Sequence, residues 1–94
     1  MRIVGRELLS NFVTKNSSLK AWIVPWQAEV EDATWRTPQD IKSRYPSVSF
    51  LSGNKVIFNV KGNHYRLVCI VAFKTSVVVV KWIGTHAQYS KLKF

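Results

Sequence analysis

The sequence predicts an α+β fold in which amino-terminal helices pack on one face of an antiparallel β-sheet. Apolar residues recur at helical spacing as far as Pro46, and beyond it the hydrophobic period changes to two. The pairs Gly53-Asn54 and Gly62-Asn63 in the second half are typical of hairpin turns. Helices followed by strands, rather than alternating with them, indicate the α+β class. With 94 residues there is room for one core, so we expect a single domain over residues 1–94.

Two helical stripes precede the predicted sheet. Asn16, Ser17 and Ser18 separate them and predict a break with a new N-cap. The stripes consist of Leu8, Leu9, Phe12 and Val13, and then of Leu19, Trp22, Ile23, Trp26, Val30 and Ala33. Pro25 lies inside the second stripe, and we expect a kink or a restart there because proline removes a donor and clashes one turn back. Residues 1–4 are suited to a short edge strand.

A third, short helix is predicted to begin at Thr37. Thr37 would cap it, Pro38 would take the first helical position, and Asp40 would take the third. The helix is expected to end before Pro46.

Four strands are predicted after Pro46, over residues 48–51, 55–61, 64–74 and 77–83. A two-residue turn at Gly62-Asn63 pairs Asn59 with Arg66 and Lys61 with His64, which places these four side chains on one face. The opposite face is apolar and should receive the helices; it carries Phe58, Val60, Tyr65, Leu67, Cys69, Val71 and Phe73.

The turn between the last two predicted strands determines which residues of the fourth strand lie on this polar face. A two-residue turn at Thr75-Ser76 would set Arg66 opposite Thr85 and bring Lys81 to the Arg66 face. The residues predicted to converge at one end of that face are then Asn59, Lys61, His64, Arg66, Lys81 and the segment 85–89.

Charge is distributed unevenly along the chain. The net charge is +9, yet residues 1–40 are neutral, and residues 41–94 hold nine basic residues and no acid. This asymmetry indicates a polyanionic partner, either nucleic acid or an acidic protein, although charge that merely keeps an exposed sheet in solution is the alternative. The single cysteine, Cys69, argues against a disulfide scaffold. With one cysteine and two histidines we expect no metal site and no cofactor.

The expected cellular compartment follows from two kinds of segment that the sequence lacks. No apolar run approaches the roughly 20 residues that span a bilayer. The start of the chain is too polar for a signal peptide. We therefore expect a cytoplasmic protein without a membrane partner.

The predicted cluster suits metal-free cleavage of RNA. Such cleavage needs a base for the 2′-hydroxyl, cations for the developing negative charge and an acid for the leaving oxygen. Arg66 and Lys81 would supply charge, His86 would exchange a proton, and Tyr89 would stack on a base or donate a proton. A structural ion pair for Arg66 and a plain surface histidine for His86 are the alternatives.

Three segments of the sequence resemble one protein family. They are Ala-Thr-Trp-Arg-Thr-Pro-Gln-Asp-Ile-Lys at 33–42 followed by Tyr45-Pro46, Val-Ile-Phe-Asn-Val-Lys-Gly-Asn-His-Tyr-Arg-Leu-Val at 56–68, and Ile-Gly-Thr-His-Ala-Gln-Tyr at 83–89. Together they make residues 19–91 similar to HigB-type toxins of the RelE/ParE superfamily. The resemblance implies a RelE-like fold and a ribosome-dependent endoribonuclease that cuts mRNA in the A site and arrests translation. It also implies a cognate helix-turn-helix antitoxin (HigA-like) that represses the shared operon.

The resemblance also implies which residues are catalytic and which bind RNA. The polar positions that match are Asn59, Asn63, Arg66, Thr85, His86 and Tyr89, and we expect Arg66, His86 and Tyr89 to be catalytic. The predicted RNA-binding residues are Asn59, Lys61, Asn63, His64, Lys81 and Lys91, although Asn59 and Asn63 also suit a structural role in the hairpin. Ser90 departs from the family pattern, which commonly has an acid there, and His64 lies at a variable position. A ParE-like inhibitor of gyrase and a non-catalytic RNA-binding module on the same fold remain open alternatives.

Overall fold

A computed structural model describes residues 1–62 and 64–92. Its helices are α1 (Arg6–Lys15), α2 (Lys20–Asp32), α3 (Pro38–Arg44) and α4 (His86–Ser90), with a 3₁₀ turn at Ser17–Leu19. Its strands are β1 (Arg2–Val4), β2 (Ser49–Leu51), β3 (Lys55–Val60), β4 (Tyr65–Ala72) and β5 (Val77–Thr85). They form one sheet in the order β1-β5-β4-β3-β2. The predicted α+β class is confirmed.

The sheet is mixed rather than wholly antiparallel. Strands β2 to β5 form the predicted antiparallel meander, but β1 runs parallel to β5, with Ile3 opposite Val78. A hairpin turn fixes the direction of two consecutive strands, whereas three helices and three strands separate β1 from β5. The predicted edge strand is therefore present, and only its direction was missed.

Helices α1 to α3 supply one side of the core, as the hydrophobic spacing predicted. Their buried side chains pack against the apolar face of the sheet. The helical side consists of Leu9, Ile23, Trp26, Val30 and Ile41, with Leu19 from the 3₁₀ turn, and the sheet side of Phe58, Val60, Leu67, Cys69, Val71, Val78, Val80 and Ile83. Trp26 meets Phe58 edge to face, with ring centroids 5.4 Å apart. This packing leaves the opposite face of the sheet to the site described below.

Helix α2 continues through Pro25, so of the expected kink or restart the restart is excluded. Proline removes only one donor from the helix. The buried side chains of Ile23, Trp26 and Val30, one on each side of Pro25 and one a turn later, hold α2 on the sheet. At the end of α2, the Met1 ammonium donates hydrogen bonds to the carbonyl oxygen of Val30 at 3.0 Å and to two more carbonyls close by. A positive charge at a helix carboxyl end is favourable.

Helix α3 begins as predicted. The Asp40 carboxylate accepts hydrogen bonds from the backbone N–H groups of Arg36 at 2.9 Å and Thr37 at 3.2 Å. These bonds lower the pKa of Asp40.

Helix α3 is tied to α2 at its other end. The Tyr45 hydroxyl and the Arg44 guanidinium both donate to the carboxylate of Glu29. The hydrogen bond from Tyr45, followed by that from Arg44, lowers the pKa of Glu29. Burial and the same hydrogen bond raise the pKa of Tyr45. These two hydrogen bonds hold the segment that leads into β2 against the helices.

The predicted register of β3 and β4 is confirmed. Asn59 lies opposite Arg66, and the same pairing continues to Lys55 opposite Ile70. The hairpin before it differs from the prediction. Leu51 pairs with Lys55, which leaves a three-residue loop instead of a two-residue Gly-Asn turn.

The predicted register of β4 and β5 was wrong in two respects. Ala72 pairs with Val77, so the loop has four residues rather than two. The pairing then shifts by one residue: Cys69 lies opposite Val80, but Val68 lies opposite Trp82. The residue between, Lys81, has no partner in the ladder and forms a β-bulge. A one-residue shift exchanges the two faces of a strand.

No helix among residues 1–62 and 64–92 is long and apolar enough to cross a membrane.

Candidate functional site

The site lies at one end of the sheet face that α1 to α3 leave open. Arg66 of β4 sits there opposite Gly84 of β5. The guanidinium carbon of Arg66 lies 5.7 Å from the centre of the Tyr89 ring. Both side chains are half-buried. The structure thus brings together two of the residues predicted to be catalytic.

The short helix α4 holds the carboxyl-terminal part of the site. Thr85 and Gln88 form a capping box: the Gln88 N–H donates to the Thr85 hydroxyl at 3.1 Å, and the Thr85 N–H donates to the Gln88 side-chain oxygen at 2.9 Å. His86 is the first residue of α4, and Tyr89 lies three residues later, where side chains are neighbours on a helix surface. Sequence reasoning missed this helix, although the spacing of Thr85 and Gln88 is the signature of such a box.

The two histidines meet through the backbone. The His86 N–H donates to the His64 carbonyl oxygen at 3.0 Å, which extends the β4–β5 ladder beyond its last pair. Both histidine side chains are exposed. His64 therefore lies at the same end of the sheet as the first residue of α4.

Two of the predicted RNA-binding lysines also lie at this end. Lys61 is exposed in the loop between β3 and β4, and its carbonyl accepts a hydrogen bond from His64 at 3.4 Å. Lys91 is exposed and caps the carboxyl end of α4. Asn63, also predicted to bind RNA, lies outside the described residues.

Lys81 lies elsewhere, so its predicted position on the Arg66 face was wrong. As the bulge residue, it lines a hollow of about 210 Å³ between β5 and α1, together with Leu8, Phe12, Lys15 and its neighbour Trp82. The cause is the register shift, which a sequence pattern of alternating residues does not reveal. A role for Lys81 in binding RNA stays a prediction.

Asn59 makes a structural contact. Its side-chain amide donates to the Ser47 carbonyl oxygen at 3.1 Å, which joins β3 to the segment before β2. This contact favours the structural alternative for Asn59, although the residue also lies opposite Arg66.

Trp82 is a member of the site that sequence reasoning did not select. It is half-buried, and its ring centre lies 6.1 Å from that of Tyr89 at an angle of 49°. Its position depends on the bulge, so no signal in the sequence pattern would have found it.

The chemistry available at this end is cationic and aromatic. Within residues 1–62 and 64–92 there is no group of three or more His, Cys, Asp and Glu side chains that could hold a metal ion. Cys69 is fully buried in the core, and burial raises the pKa of its thiol. A cation held against a tyrosine, with two histidines close by, is suited to binding and reacting with a phosphodiester.

Comparison with known proteins identifies the family. Residues 17–92 match the model of HigB_toxin, described as the RelE-like toxic component of a toxin-antitoxin system. The chain belongs to the HigB toxin family. The match spans Arg66, His86 and Tyr89, and it confirms the resemblance seen in the three sequence segments.

Curated HigB proteins align with nearly the whole chain. The "mRNA interferase toxin HigB" of Escherichia coli (strain K12) is 23% identical over 91 residues, which cover 95% of this chain and 88% of the relative. Proteins named "mRNA interferase HigB" from Escherichia coli O157:H7 and Shigella flexneri align with the same identity and coverage.

Proposed function

We propose that this HigB-family chain is the toxin of a type II toxin-antitoxin pair and cleaves mRNA in the ribosomal A site, arresting translation. The family match and the mRNA interferase names of its relatives support an endoribonuclease. The basic, acid-free second half supports a polyanionic substrate. The working partners are mRNA and the ribosome, and the compartment is the cytoplasm.

The observation that carries this proposal is the contact between Arg66 and Tyr89. A guanidinium over an aromatic ring gains about 0.5–1 kcal/mol, so the ring helps to hold the cation in place before substrate arrives. A fixed cation stabilises a developing phosphorane charge without the cost of reorganising at the moment of reaction. Arg66 is therefore the group that binds the charged phosphodiester.

Proton transfer is assigned to His86 and Tyr89. Histidine is the side chain that most often serves as a general acid or base, and His86 stands at the first position of α4, one turn before the Tyr89 ring. In this scheme one group removes the proton of the 2′-hydroxyl, which attacks the adjacent phosphorus. The other group protonates the leaving 5′-oxygen. No metal enters the scheme, because the chain's five acids all precede residue 41, and Mg²⁺ requires oxygen ligands such as carboxylates.

The surrounding polar residues bind the RNA backbone. Lys61, His64 and Lys91 are exposed around the Arg66 end of the sheet and can contact phosphates on either side of the cut. Asn59, Asn63 and Lys81 complete the proposed RNA-binding set.

The protein partner is a HigA-like helix-turn-helix antitoxin. The description of the family as one component of a toxin-antitoxin system supports a cognate antitoxin. The net charge of +9 favours an acidic binding segment in that partner.

The test is to map mRNA ends in a purified translation reaction. Wild type should cut a defined message only when ribosomes are present. Arg66→Ala should lose cleavage while remaining folded, and His86→Ala should cut at least about tenfold more slowly. Lys74→Ala is the matched control, since it removes one exposed positive charge from the loop at the opposite end of β4 and should cut like wild type.

Two outcomes would contradict the proposal. Cleavage by Arg66→Ala at the wild-type rate would remove the cation from the mechanism. An intact message in the presence of a folded, toxic protein would favour a ParE-like action on gyrase instead.

A further inference from the structure

Trp82 reaches the Arg66 face only because β5 contains a bulge. Before the bulge, Val78 and Val80 point into the core. An uninterrupted strand would therefore direct Trp82 to the core face and Lys81 to the Arg66 face. The bulge reverses this order and places an aromatic ring beside the site.

Gly84 provides the space for that ring. A Cβ at Gly84 would lie 2.5 Å and 2.6 Å from two carbons of the Trp82 six-membered ring, and 2.7 Å from the side-chain oxygen of Gln88. The indole therefore lies across the backbone of Gly84. Gln88 is also the residue that closes the capping box of α4, so the ring packs where that helix begins.

Tyr89 is held by contacts with two neighbours of different character. The Trp82 ring lies 6.1 Å from it, and the Arg66 guanidinium carbon lies 5.7 Å from it. Tilted aromatic pairs at this distance are attractive, and they restrict how each ring can turn. A short helix of five residues has little stability of its own, so α4 depends on such contacts for its position.

We propose that Trp82 is a positioning residue for the RNA reaction: it holds the Tyr89 ring, and through it α4, at the distance at which Tyr89 meets Arg66. This inference rests on the proposed function. Trp82 acts on the reaction through Tyr89 and needs no contact with the RNA. Its loss should lower the rate of the bound complex rather than the affinity for the ribosome.

The experiment is a double-mutant cycle on single-turnover cleavage of ribosome-bound mRNA. Rates are measured at saturating and subsaturating protein for wild type, Trp82→Ala, Tyr89→Ala and the double variant. Trp82→Ala should reduce the saturating rate about tenfold, with half-saturation unchanged. In the Tyr89→Ala background the same change should reduce the rate less than about twofold, because residues that act through one another are not additive.

Two further variants protect the test against misfolding. Trp82→Phe keeps an aromatic ring and should retain most of the wild-type rate, whereas Trp82→Leu keeps apolar bulk without a ring and should be as slow as Trp82→Ala. Phe50→Ala removes an exposed ring from β2, at the far edge of the same sheet, and should cut like wild type. Thermal unfolding of each variant establishes that it is folded.

The outcomes distinguish a failure of the role inferred for Trp82 from a failure of the proposed function. If wild type fails to cut, the proposed function fails. If wild type cuts and the two substitutions multiply fully, or Tyr89→Ala cuts normally, Trp82 does not act through Tyr89. Equal rates for Trp82→Phe and Trp82→Leu would likewise overturn the inference.

Discussion

Replacing Gly84 by alanine should destabilise the protein mainly through Trp82, because the other close neighbour is the end of the flexible Gln88 side chain. Gly84 has no left-handed backbone conformation, so an alanine backbone fits the strand without strain. The added methyl group would lie 2.5 Å from the indole, and the ring must retreat by roughly 1 Å to return to van der Waals contact. Such overpacking costs about 1–3 kcal/mol, which exceeds the 0.5–1 kcal/mol that alanine gains over glycine within a strand.

The sign of the effect should depend on the residue at position 82. In the Trp82→Ala background the indole is gone, and the end of the Gln88 side chain can move. There Gly84→Ala should cost less than about 0.5 kcal/mol or become stabilising. The measurement is urea unfolding of the four proteins, with the free energies compared at a common slope.

Gly53→Ala supplies the contrast. Nothing lies within 4 Å of a Cβ at Gly53, but its φ of +75° is left-handed, so alanine there is strained in any background. Its cost should be the same with and without Trp82. A Gly84→Ala cost that is also equal in the two backgrounds would refute the close packing of the indole on Gly84.

Three further predictions concern the rest of the molecule. Because the hydrogen bond from Tyr45 lowers the pKa of Glu29 below its usual 4.5, the carboxylate stabilises the fold above that pH, and the gain is lost as pH falls through the lowered value. Glu29→Gln should therefore lower the free energy of unfolding, measured by chemical denaturation, by up to about 1 kcal/mol at neutral pH and by progressively less in acid. The exposed control Glu31→Gln should change it little, and a difference that does not depend on pH would contradict the prediction. Asn59→Ala should lower the free energy of unfolding by about 1 kcal/mol through its lost backbone contact, and an unchanged urea midpoint would argue against it. The buried Cys69 thiol should resist iodoacetamide at about pH 8 in the folded protein and react in urea, as mass spectrometry would show; labelling of the folded protein would contradict its burial.

The β3–β4 pairing was predictable because local turn chemistry and side-chain alternation agree there. A two-residue turn predicted at Gly62-Asn63 and the apolar alternation around Phe58 both require Asn59 opposite Arg66, and that is the observed pair. Local signals that support one another leave a single register open.

The β4–β5 pairing was not predictable for the complementary reason. The four consecutive valines at 77–80 show no alternation of polar and apolar residues. The sequence there does not distinguish a two-residue turn from the observed four-residue loop. The bulge at Lys81 then adds a one-residue shift, and this shift accompanies the packing of Trp82 against Gly84 and Tyr89. Tertiary packing of this kind overrides the local pattern.

Because of the bulge, the positive charge at the site and the long-range attraction of a polyanion come from different residues. A lysine ammonium beside Arg66 would raise the positive charge there, yet it would compete with the Arg66 guanidinium for the same aromatic ring and repel that guanidinium. With Lys81 turned toward α1, the group next to Tyr89 is an indole, which orients the ring without adding charge. Attraction of a polyanion over distance then falls to exposed lysines such as Lys61 and Lys91, whose charge is screened by salt. Raising the salt concentration should therefore weaken association far more than it slows the bound reaction at Arg66.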